Sequence, residues 1–397
     1  MWRRLIKEST VKEHNRIFSS RGTTIFAVMS ALAQEHDAIN LGQGFPDDEG
    51  PEDLRAAAAR YVIDGPNQYP PMAGVPELRQ AVAAHDKRFY GLDVEWQTET
   101  LVTSGATEAL TASFMGLLNT GDEAVLIEPV YDSYRPIIEA MGATAVSVRL
   151  EPPAWSLPEN DFAAAFSEKT KLIVVNSPMN PIGKVFSRDE FTFIAELVAR
   201  HHCYVVCDEV YEHLIFDGHE HIPLMTLPGM GSCCVRIASA GKTFSLTGWK
   251  VGYVTARPDL LTAVAKAHQF ITFTTPPALQ LAVADGLAKD DSYYHELAAL
   301  LARGRNRLTQ GLRDIGLDVL PCDGTCFLTT DIRSLGFNGT DLEFCKHITK
   351  EAGVAAVPIS AFYGDPRAAP QHFVRFCFCK PDTLLDEAVG RLQRHFA

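Results

Sequence analysis

The sequence predicts an α/β protein with a large, mainly parallel sheet domain and a smaller α+β C-terminal domain. Short apolar runs alternate with helical patterns over about residues 50–290. Helices cover both faces of a parallel sheet, so its strands are expected to be apolar throughout. After about residue 290 the pattern changes to isolated strands between helices. Because 397 residues suit about two domains, we predict an N-terminal arm (1–45), a large domain (46–290) and a small domain (291–397).

The individual elements follow from local patterns taken in chain order. The arm is polar and basic at first, then helical near 24–34, and ends in a Gly/Pro-punctuated loop. A capping box at Ser187–Glu190 predicts one helix start. The predicted strands of the large domain are Leu101–Thr103, Ala124–Ile127, Leu172–Asn176, Tyr204–Asp208, Val235–Ser239 and Val251–Thr255. The other predictions are helices from Ala106 and near Asp132, a helical stretch over 277–315, strands at 327–330 and 373–378, and helices at 341–351 and from Pro381.

Composition excludes several classes of function. The formal net charge of −13 argues against a nucleic-acid surface, which needs clustered Lys and Arg. Nine cysteines without a C-x-x-C pair predict reduced thiols rather than a disulfide framework or a zinc site. We find no signal peptide and no membrane span, so the expected location is the cytoplasm.

Two turns at predicted strand ends could hold ligands. Gly105-Ala106-Thr107 opens a helix, where free N–H groups and the positive end of the helix dipole form an anion site. A plain strand-to-helix turn would give the same pattern. Asn180 lies in a proline-locked loop, where its amide could bind a ligand or simply end the strand.

A carboxylate ends the predicted strand Tyr204–Asp208. A buried carboxylate must be paired, hydrogen-bonded or protonated. A cofactor nitrogen that stays protonated is one suitable partner for Asp208, and the N-terminus of the next helix is another.

The loop after the strand Val235–Ser239 carries the most specific signal. Ser239, Lys242 and Lys250 lie within twelve residues, among glycines and large apolar side chains. A single lysine is usually a solvated surface charge. Two lysines in these surroundings favour a functional amine, because partial burial and a nearby cation lower a lysine's pKa and let it form Schiff bases.

One arginine, Arg375, lies in the otherwise apolar run 373–378. Its planar fork would suit a ligand carboxylate, and a structural salt bridge is the alternative. The histidines at 201–202 and 219–221 are interpreted as solvated, so no metal site is predicted. No strand is followed by G-x-G-x-x-G, which argues against a nicotinamide dehydrogenase.

Together, and in this order, these residues resemble the class I and II aminotransferases of fold type I. The chain looks most like the branch of kynurenine, glutamine, methionine and succinyl-diaminopimelate aminotransferases. The resemblance runs from about Thr24 to the C-terminus. Its sharpest motifs are Gly42-Gln43-Gly44-Phe45-Pro46-Asp47, Asn67-Gln68-Tyr69, Asn180-Pro181-x-Gly183, Asp208-Glu209-x-Tyr211, Ser239-x-x-Lys242 and Thr247-Gly248-Trp249-Lys250-x-Gly252.

The resemblance implies a pyridoxal 5′-phosphate cofactor. Lys242 would bond to it and move the substrate proton, and Asp208 would pair with its pyridine nitrogen. Tyr211 and Asn180 would bind its phenolic oxygen, and Tyr131 would stack on its ring. The phosphate would be held by Gly105, Ala106, Thr107, Ser239, Lys250 and, from a neighbouring subunit, Tyr69.

The resemblance also implies the substrate side of the site and a homodimer with shared sites. Arg375 would bind the substrate's α-carboxylate, helped by Asn180 and the backbone of Gly44. The expected reaction moves an amino group from an L-amino acid with an uncharged sulfur-containing or aromatic side chain to a 2-oxo acid. A β-lyase acting on C–S bonds is the alternative on the same scaffold. An amine-sensing regulator is disfavoured, since this acidic chain has no segment for a basic DNA-binding domain.

Overall fold

The computed structural model of the chain describes residues 12–397, so the basic start of the arm lies outside the described residues. A short helix α1 (Arg16–Ser19) is followed by α2 (Ile25–Glu35), which begins where the Thr24 side chain accepts a hydrogen bond from the Ala27 N–H. Strand β1 (Ile39–Asn40) then leads into the Gly/Pro loop. The helix predicted near 24–34 is confirmed.

A seven-stranded sheet forms the centre of the large domain, in the order β2-β8-β7-β6-β5-β3-β4. Only β8 runs antiparallel to its neighbours, so the sheet is mainly parallel, as predicted. The strands are β2 (Thr100–Thr103), β3 (Glu123–Glu128), β4 (Thr144–Arg149), β5 (Thr170–Asn176), β6 (Tyr204–Asp208), β7 (Cys234–Ser239) and β8 (Gly252–Thr255).

Helices cover both faces of this sheet, as its buried apolar strands require. The predicted capping box is present: Ser187 Oγ accepts from the Glu190 N–H, and the Glu190 carboxylate accepts from the Ser187 N–H. The helices are α3 (Glu52–Asp64), α4 (Pro76–Tyr90), α5 (Trp96–Glu99), α6 (Ala106–Leu117), α7 (Tyr134–Ala140), α8 (Glu159–Ala164), α9 (Arg188–His201), α10 (Ala240–Thr243), α11 (Pro258–Ile271) and α12 (Pro277–Leu287).

The C-terminal part is an antiparallel sheet in the order β12-β13-β10-β9, packed against helices. Its core contains buried leucine, phenylalanine and cysteine side chains. The elements are α13 (Asp291–Asp314), β9 (Asp318–Val319), β10 (Phe327–Asp331), α14 (Asp341–His347), β11 (Val354–Ala355), β12 (Val357–Pro358), β13 (Phe373–Cys377) and α15 (Asp382–Phe396).

Strand β4 and the stretch 277–315 differ from the predicted elements for identifiable reasons. Strand β4 was not predicted, because it lies at the sheet edge and its side chains are mostly exposed or half-buried rather than uniformly apolar. The helical stretch over 277–315 is two helices, α12 and α13, and Asp290 caps the second through the Ser292 N–H.

The predicted division into three domains stays a prediction, but the contacts refine it at the arm. Strand β1 pairs in parallel with β11, and Met29, Ile39 and Leu41 belong to the same hydrophobic core as Val374 of β13. The segment 25–41 therefore packs with the C-terminal part instead of standing apart.

Two further sequence expectations concern the whole molecule. All nine cysteines are free, and eight of them are buried, as expected of small apolar side chains. Within residues 12–397, the longest and most apolar helices fall short of what crossing a bilayer requires.

Candidate active site

A cavity of about 360 Å³ opens at the carboxyl ends of β2, β5, β6 and β7. Ligands of open parallel sheets bind at this edge. All of the site residues predicted from the sequence line this cavity, except Tyr69. Its lining includes Gly44, Gly105, Ala106, Thr107, Tyr131, Asn180, Asp208, Tyr211, Ser239, Lys242, Lys250 and Arg375.

The carboxylate of Asp208 is buried at the end of β6. It accepts a short hydrogen bond from the Tyr134 hydroxyl of α7 and a longer one, 3.4 Å, from the Val210 N–H. Burial raises the pKa of Asp208 to about 6, although these two donors act to lower it. A cationic ligand atom beside this buried carboxylate would stabilise its charged form.

Lys242 lies in the short helix α10, which follows β7 directly. Its side chain is half-buried, and its Nζ is 5.5 Å from the centre of the Tyr211 ring. Tyr211 is buried three residues after the end of β6, and both side chains line the cavity. Burial raises the pKa of Tyr211 well above its ordinary value, so its hydroxyl remains a hydrogen-bond donor.

The N-terminus of α6 forms a cradle for an anion. Gly105 precedes it with a φ of 77°, a conformation that favours glycine. The first N–H groups of a helix have no intrahelical partners, and those of Ala106 and Thr107 lie at the cavity. A Cβ placed on Gly105 would lie 3.3 Å from Lys250 Nζ, so that amine stands beside the cradle. Ser239 lines the same corner.

Arg375 is buried in β13 with no carboxylate partner among residues 12–397. Its Nη1 donates to Asn180 Oδ1 at 2.8 Å and its Nη2 donates to the carbonyl oxygen of Gly42 at 2.7 Å. Its Nε has no hydrogen-bond acceptor. The guanidinium stacks 3.9 Å from the ring centre of Phe327.

The roles expected of Gly44 and of Tyr69, the latter from a neighbouring subunit, stay predictions. The backbone oxygen that holds Arg375 is that of Gly42, whereas Gly44 lines the cavity and leaves no room for a Cβ, which would lie 2.6 Å from the Phe327 ring. Tyr69 is 84% exposed and is absent from the cavity of its own chain.

Sequence reasoning missed three residues that shape the site. Tyr134 holds Asp208, and Phe327 supports Arg375. Asn176 donates to the Asp208 carbonyl oxygen at 2.8 Å and accepts from the Asn180 N–H at 2.8 Å, which links the two loops. Asn176 is the last residue of a predicted strand, and this position could have identified it as a candidate site residue.

Comparison with known proteins decides the family. The sequence profile described as aminotransferase class I and II matches residues 36–392, most of the chain. This chain belongs to the class I and II aminotransferases. It is an enzyme that transfers amino groups, and members of the family use pyridoxal phosphate.

Three relatives illustrate the similarity. The methionine aminotransferase of Escherichia coli K12 is 41% identical over 94% of this chain and 96% of its own. Human kynurenine–oxoglutarate transaminase 1 is 35% identical over 91% of this chain and 93% of its own. The solved structure of N-succinyldiaminopimelate aminotransferase from Mycobacterium tuberculosis superimposes with a TM-score of 0.94, at 42% identity, covering 97% of this chain and all of its own.

The donor set of the cavity fits pyridoxal phosphate. A phosphate dianion needs N–H donors and a cation, and the α6 terminus and Lys250 offer both. A protonated pyridine nitrogen needs a buried anion, which Asp208 provides. An aldehyde needs an amine, and Lys242 lines the same cavity.

Two other expectations are resolved. The comparisons support amino-group transfer and do not favour the β-lyase alternative. The interpretation of the histidines at 219–221 as solvated is wrong for His221, which is buried and contacts the Glu209 carboxylate at 2.9 Å. A long-range ion pair of this kind leaves no local pattern in the sequence.

Proposed function

We propose that this enzyme transfers the amino group of an L-amino acid with an uncharged sulfur-containing or aromatic side chain to a 2-oxo acid. The observation that carries the proposal is Arg375, a buried guanidinium that lines the cavity and has no carboxylate partner among residues 12–397. A buried charge needs a counterion, and the α-carboxylate common to all amino and 2-oxo acids is a suitable one.

The roles of the other side chains follow from their positions. Pyridoxal phosphate, when bound, supplies a carbonyl carbon for the amino group and a ring that accepts the electron pair released at the α-carbon. Asp208 would keep the ring nitrogen protonated, with Tyr134 holding the carboxylate. Asn180 uses its Oδ1 for Arg375, so its NH₂ group is left to donate to the ring's phenolic oxygen together with Tyr211.

Lys242 would be the proton carrier. Its side chain lines the cavity together with the anion cradle and Arg375. With the cofactor bound, the Nζ of Lys242 would take the proton released at the substrate's α-carbon and deliver it to the carbonyl carbon that the cofactor supplies. The neighbouring ring of Tyr211, 5.5 Å from Nζ, limits where the amine can move.

Aromatic side chains support the choice of substrate. Phe26 and Tyr131 line the cavity, and Phe26 packs edge-on against Phe362 at 5.7 Å between ring centres. No arginine other than Arg375 lines the cavity formed by the described residues, so nothing there selects a second carboxylate. Two relatives are named for methionine and for kynurenine, and these names also support an uncharged sulfur-containing or aromatic substrate.

We further propose a cytoplasmic homodimer in which each site is completed by the other subunit. Tyr69 packs against Phe273 at 5.5 Å between ring centres, and both are exposed in the single chain. Ile63 and Phe270 are each 79% exposed as well. Large apolar groups exposed in this number favour a subunit interface. Nine free cysteines suit a reducing compartment.

A substrate panel tests the proposal. Purified enzyme is given L-methionine, L-phenylalanine, L-kynurenine or L-glutamine with a 2-oxo acid, and the new 2-oxo product is measured. A succinylated diaminopimelate precursor is tested alongside, and L-aspartate is the control. We expect kcat/KM for at least one uncharged donor to exceed that for aspartate by about tenfold or more, a difference of about 1.4 kcal/mol.

Two results would overturn the proposal. One is a preference for aspartate or for the succinylated substrate, which would require a second anion site. The other is release of pyruvate and ammonia from an S-substituted cysteine without any 2-oxo acid, at a rate above that of transfer.

A further inference from the structure

A second group of buried polar side chains lies behind the active site. His85 of α4, Glu212 and His213 each offer one ligating atom, and these three atoms lie within 4.8 Å of one another. Glu212 and His213 belong to the segment that follows β6, directly after Tyr211. His85 and Glu212 are buried, and His213 is half-buried, which leaves a route from solvent.

The charges around this group do not balance. The guanidinium of Arg236 contacts three carboxylates, those of Asp86, Glu209 and Glu212. One positive and three negative charges leave an excess of two negative charges. The imidazole of His221 contacts the Glu209 carboxylate at 2.9 Å. A buried charge without a counterion is strongly unfavourable.

The same three side chains carry ligand atoms with unused lone pairs. One carboxylate oxygen of Glu212 accepts from Tyr90 and Arg236, while its other oxygen, Oε1, is buried without a donor. The Nε2 atoms of His85 and His213 face each other at 2.8 Å, so at least one of them carries a lone pair.

We propose that His85, Glu212 and His213 bind one divalent transition-metal ion, Zn²⁺ being the best match. Two imidazoles and a carboxylate are a common zinc ligand set, and a water would complete the tetrahedron. In such a site two nitrogens at about 2.1 Å from the metal are roughly 3.4 Å apart, so the rings need to separate by about half an ångström. The ion would also supply the missing positive charge.

The ion is structural rather than catalytic. It joins α4 to the segment 209–214, which begins right after Asp208 and contains Tyr211. Fixing this segment would hold the side chains of Asp208 and Tyr211 in their positions at the cavity. The simpler alternative is a neutral N–H···N hydrogen bond between the two histidines, with no metal.

Metal binding to the holoenzyme distinguishes the two. The enzyme is treated with a chelator, dialysed and titrated with Co²⁺, whose visible ligand-field bands report tetrahedral coordination. We expect one equivalent to bind, with a rise in melting temperature. His213→Gln should weaken binding at least tenfold. The matched control is His395→Gln, because the Nε2 atoms of His347 and His395 also meet, at 3.0 Å, but without a carboxylate in reach.

Three results would overturn the proposal. They are a wild-type holoenzyme that takes up no Co²⁺, equal binding by His213→Gln, and equal loss in His395→Gln. Should His213→Gln fail to fold, judged by its cofactor absorbance, anomalous scattering at the zinc edge from zinc-soaked wild-type crystals decides. A peak between the three side chains is expected, and its absence would contradict the site.

Discussion

Two buried arginines show how this molecule separates stability from function. Arg236 and Arg375 are each 1% exposed and each lies in a β-strand. Arg236, in β7, contacts the carboxylates of Asp86, Glu209 and Glu212. Among residues 12–397, Arg375 of β13 contacts an amide oxygen, a carbonyl oxygen and aromatic rings, and no carboxylate. The first cation is paired within the fold, and the proposed function gives the second a ligand carboxylate as its partner.

The pKa values of the two guanidinium groups differ in direction for the same reason. Burial acts to lower both, and it lowers the pKa of Arg375. Around Arg236 the carboxylates outweigh burial and raise its pKa well above the ordinary value. Burial likewise acts to raise the pKa of Glu212, but Arg236 and the nearby histidines lower it to about 2. This difference is what led us to propose Arg375, and not Arg236, as the group that binds the substrate carboxylate.

The comparison is tested most strongly at Arg236. Arg236→Met keeps the volume but leaves three buried carboxylates without their cation, so we expect the free energy of unfolding to fall by about 3–5 kcal/mol. Denaturant titration at neutral pH measures it. A variant as stable as the wild type would mean that the network contributes nothing net to folding.

The matched change, Arg375→Met, should affect activity instead. Losing the charge-assisted bonds to the substrate carboxylate is expected to lower kcat/KM by about 10²–10³-fold, roughly 3–4 kcal/mol, while the unfolding free energy changes by less than about 1 kcal/mol. Steady-state kinetics and denaturant titration on the same preparation check both. Near-normal kinetics would remove Arg375 from the substrate site.

The buried carboxyl group of Asp208 should make the unfolding free energy depend on pH. Its pKa is raised to about 6 in the folded chain, so the folded state holds this proton more tightly than the unfolded state does. In the cofactor-free protein its stabilising contribution is present below about pH 4 and is lost as the pH rises through 6, by roughly 2–3 kcal/mol. The difference in unfolding free energy between the wild type and Asp208→Asn should follow this curve. A difference that is constant from pH 4 to 7 would contradict the raised pKa.

The smallest effect is expected at Tyr134. Tyr134→Phe removes the hydroxyl that donates to Asp208 and is expected to lower kcat/KM about tenfold, roughly 1.5 kcal/mol. The loss of this donor should also move the Asp208 midpoint to higher pH, which the same unfolding series measures. An unchanged midpoint would show that the hydroxyl does not hold the carboxylate.

Arg236 and Arg375 also show which features of the site could be predicted from the sequence. Arg375 stood out because it interrupts an apolar run, and the strands β5 and β6 could be predicted because they are uniformly apolar. Arg236 lies in a similar run and was passed over. Its partner Asp86 is 150 residues away, and the Gly42 carbonyl that holds Arg375 is 333 residues away.

Local patterns could therefore indicate buried strands and the residues at their ends, because both depend on neighbouring positions. They could not show Tyr134 beside Asp208 or β1 beside β11, since these contacts are formed only by the folded chain. The edge strand β4 was missed because most of its side chains are exposed or half-buried. It therefore lacks the uniformly apolar run by which the buried strands were predicted.

The most direct test of the account is to identify the lysine that bonds to pyridoxal phosphate. Purified enzyme is expected to absorb in the visible region, to lose this band on addition of L-methionine, and to be fixed by borohydride. Peptide mapping by mass spectrometry should then locate the cofactor on Lys242, and Lys242→Ala should lack the band. Labelling of Lys250 instead, or a protein that stays colourless after incubation with pyridoxal phosphate, would contradict it.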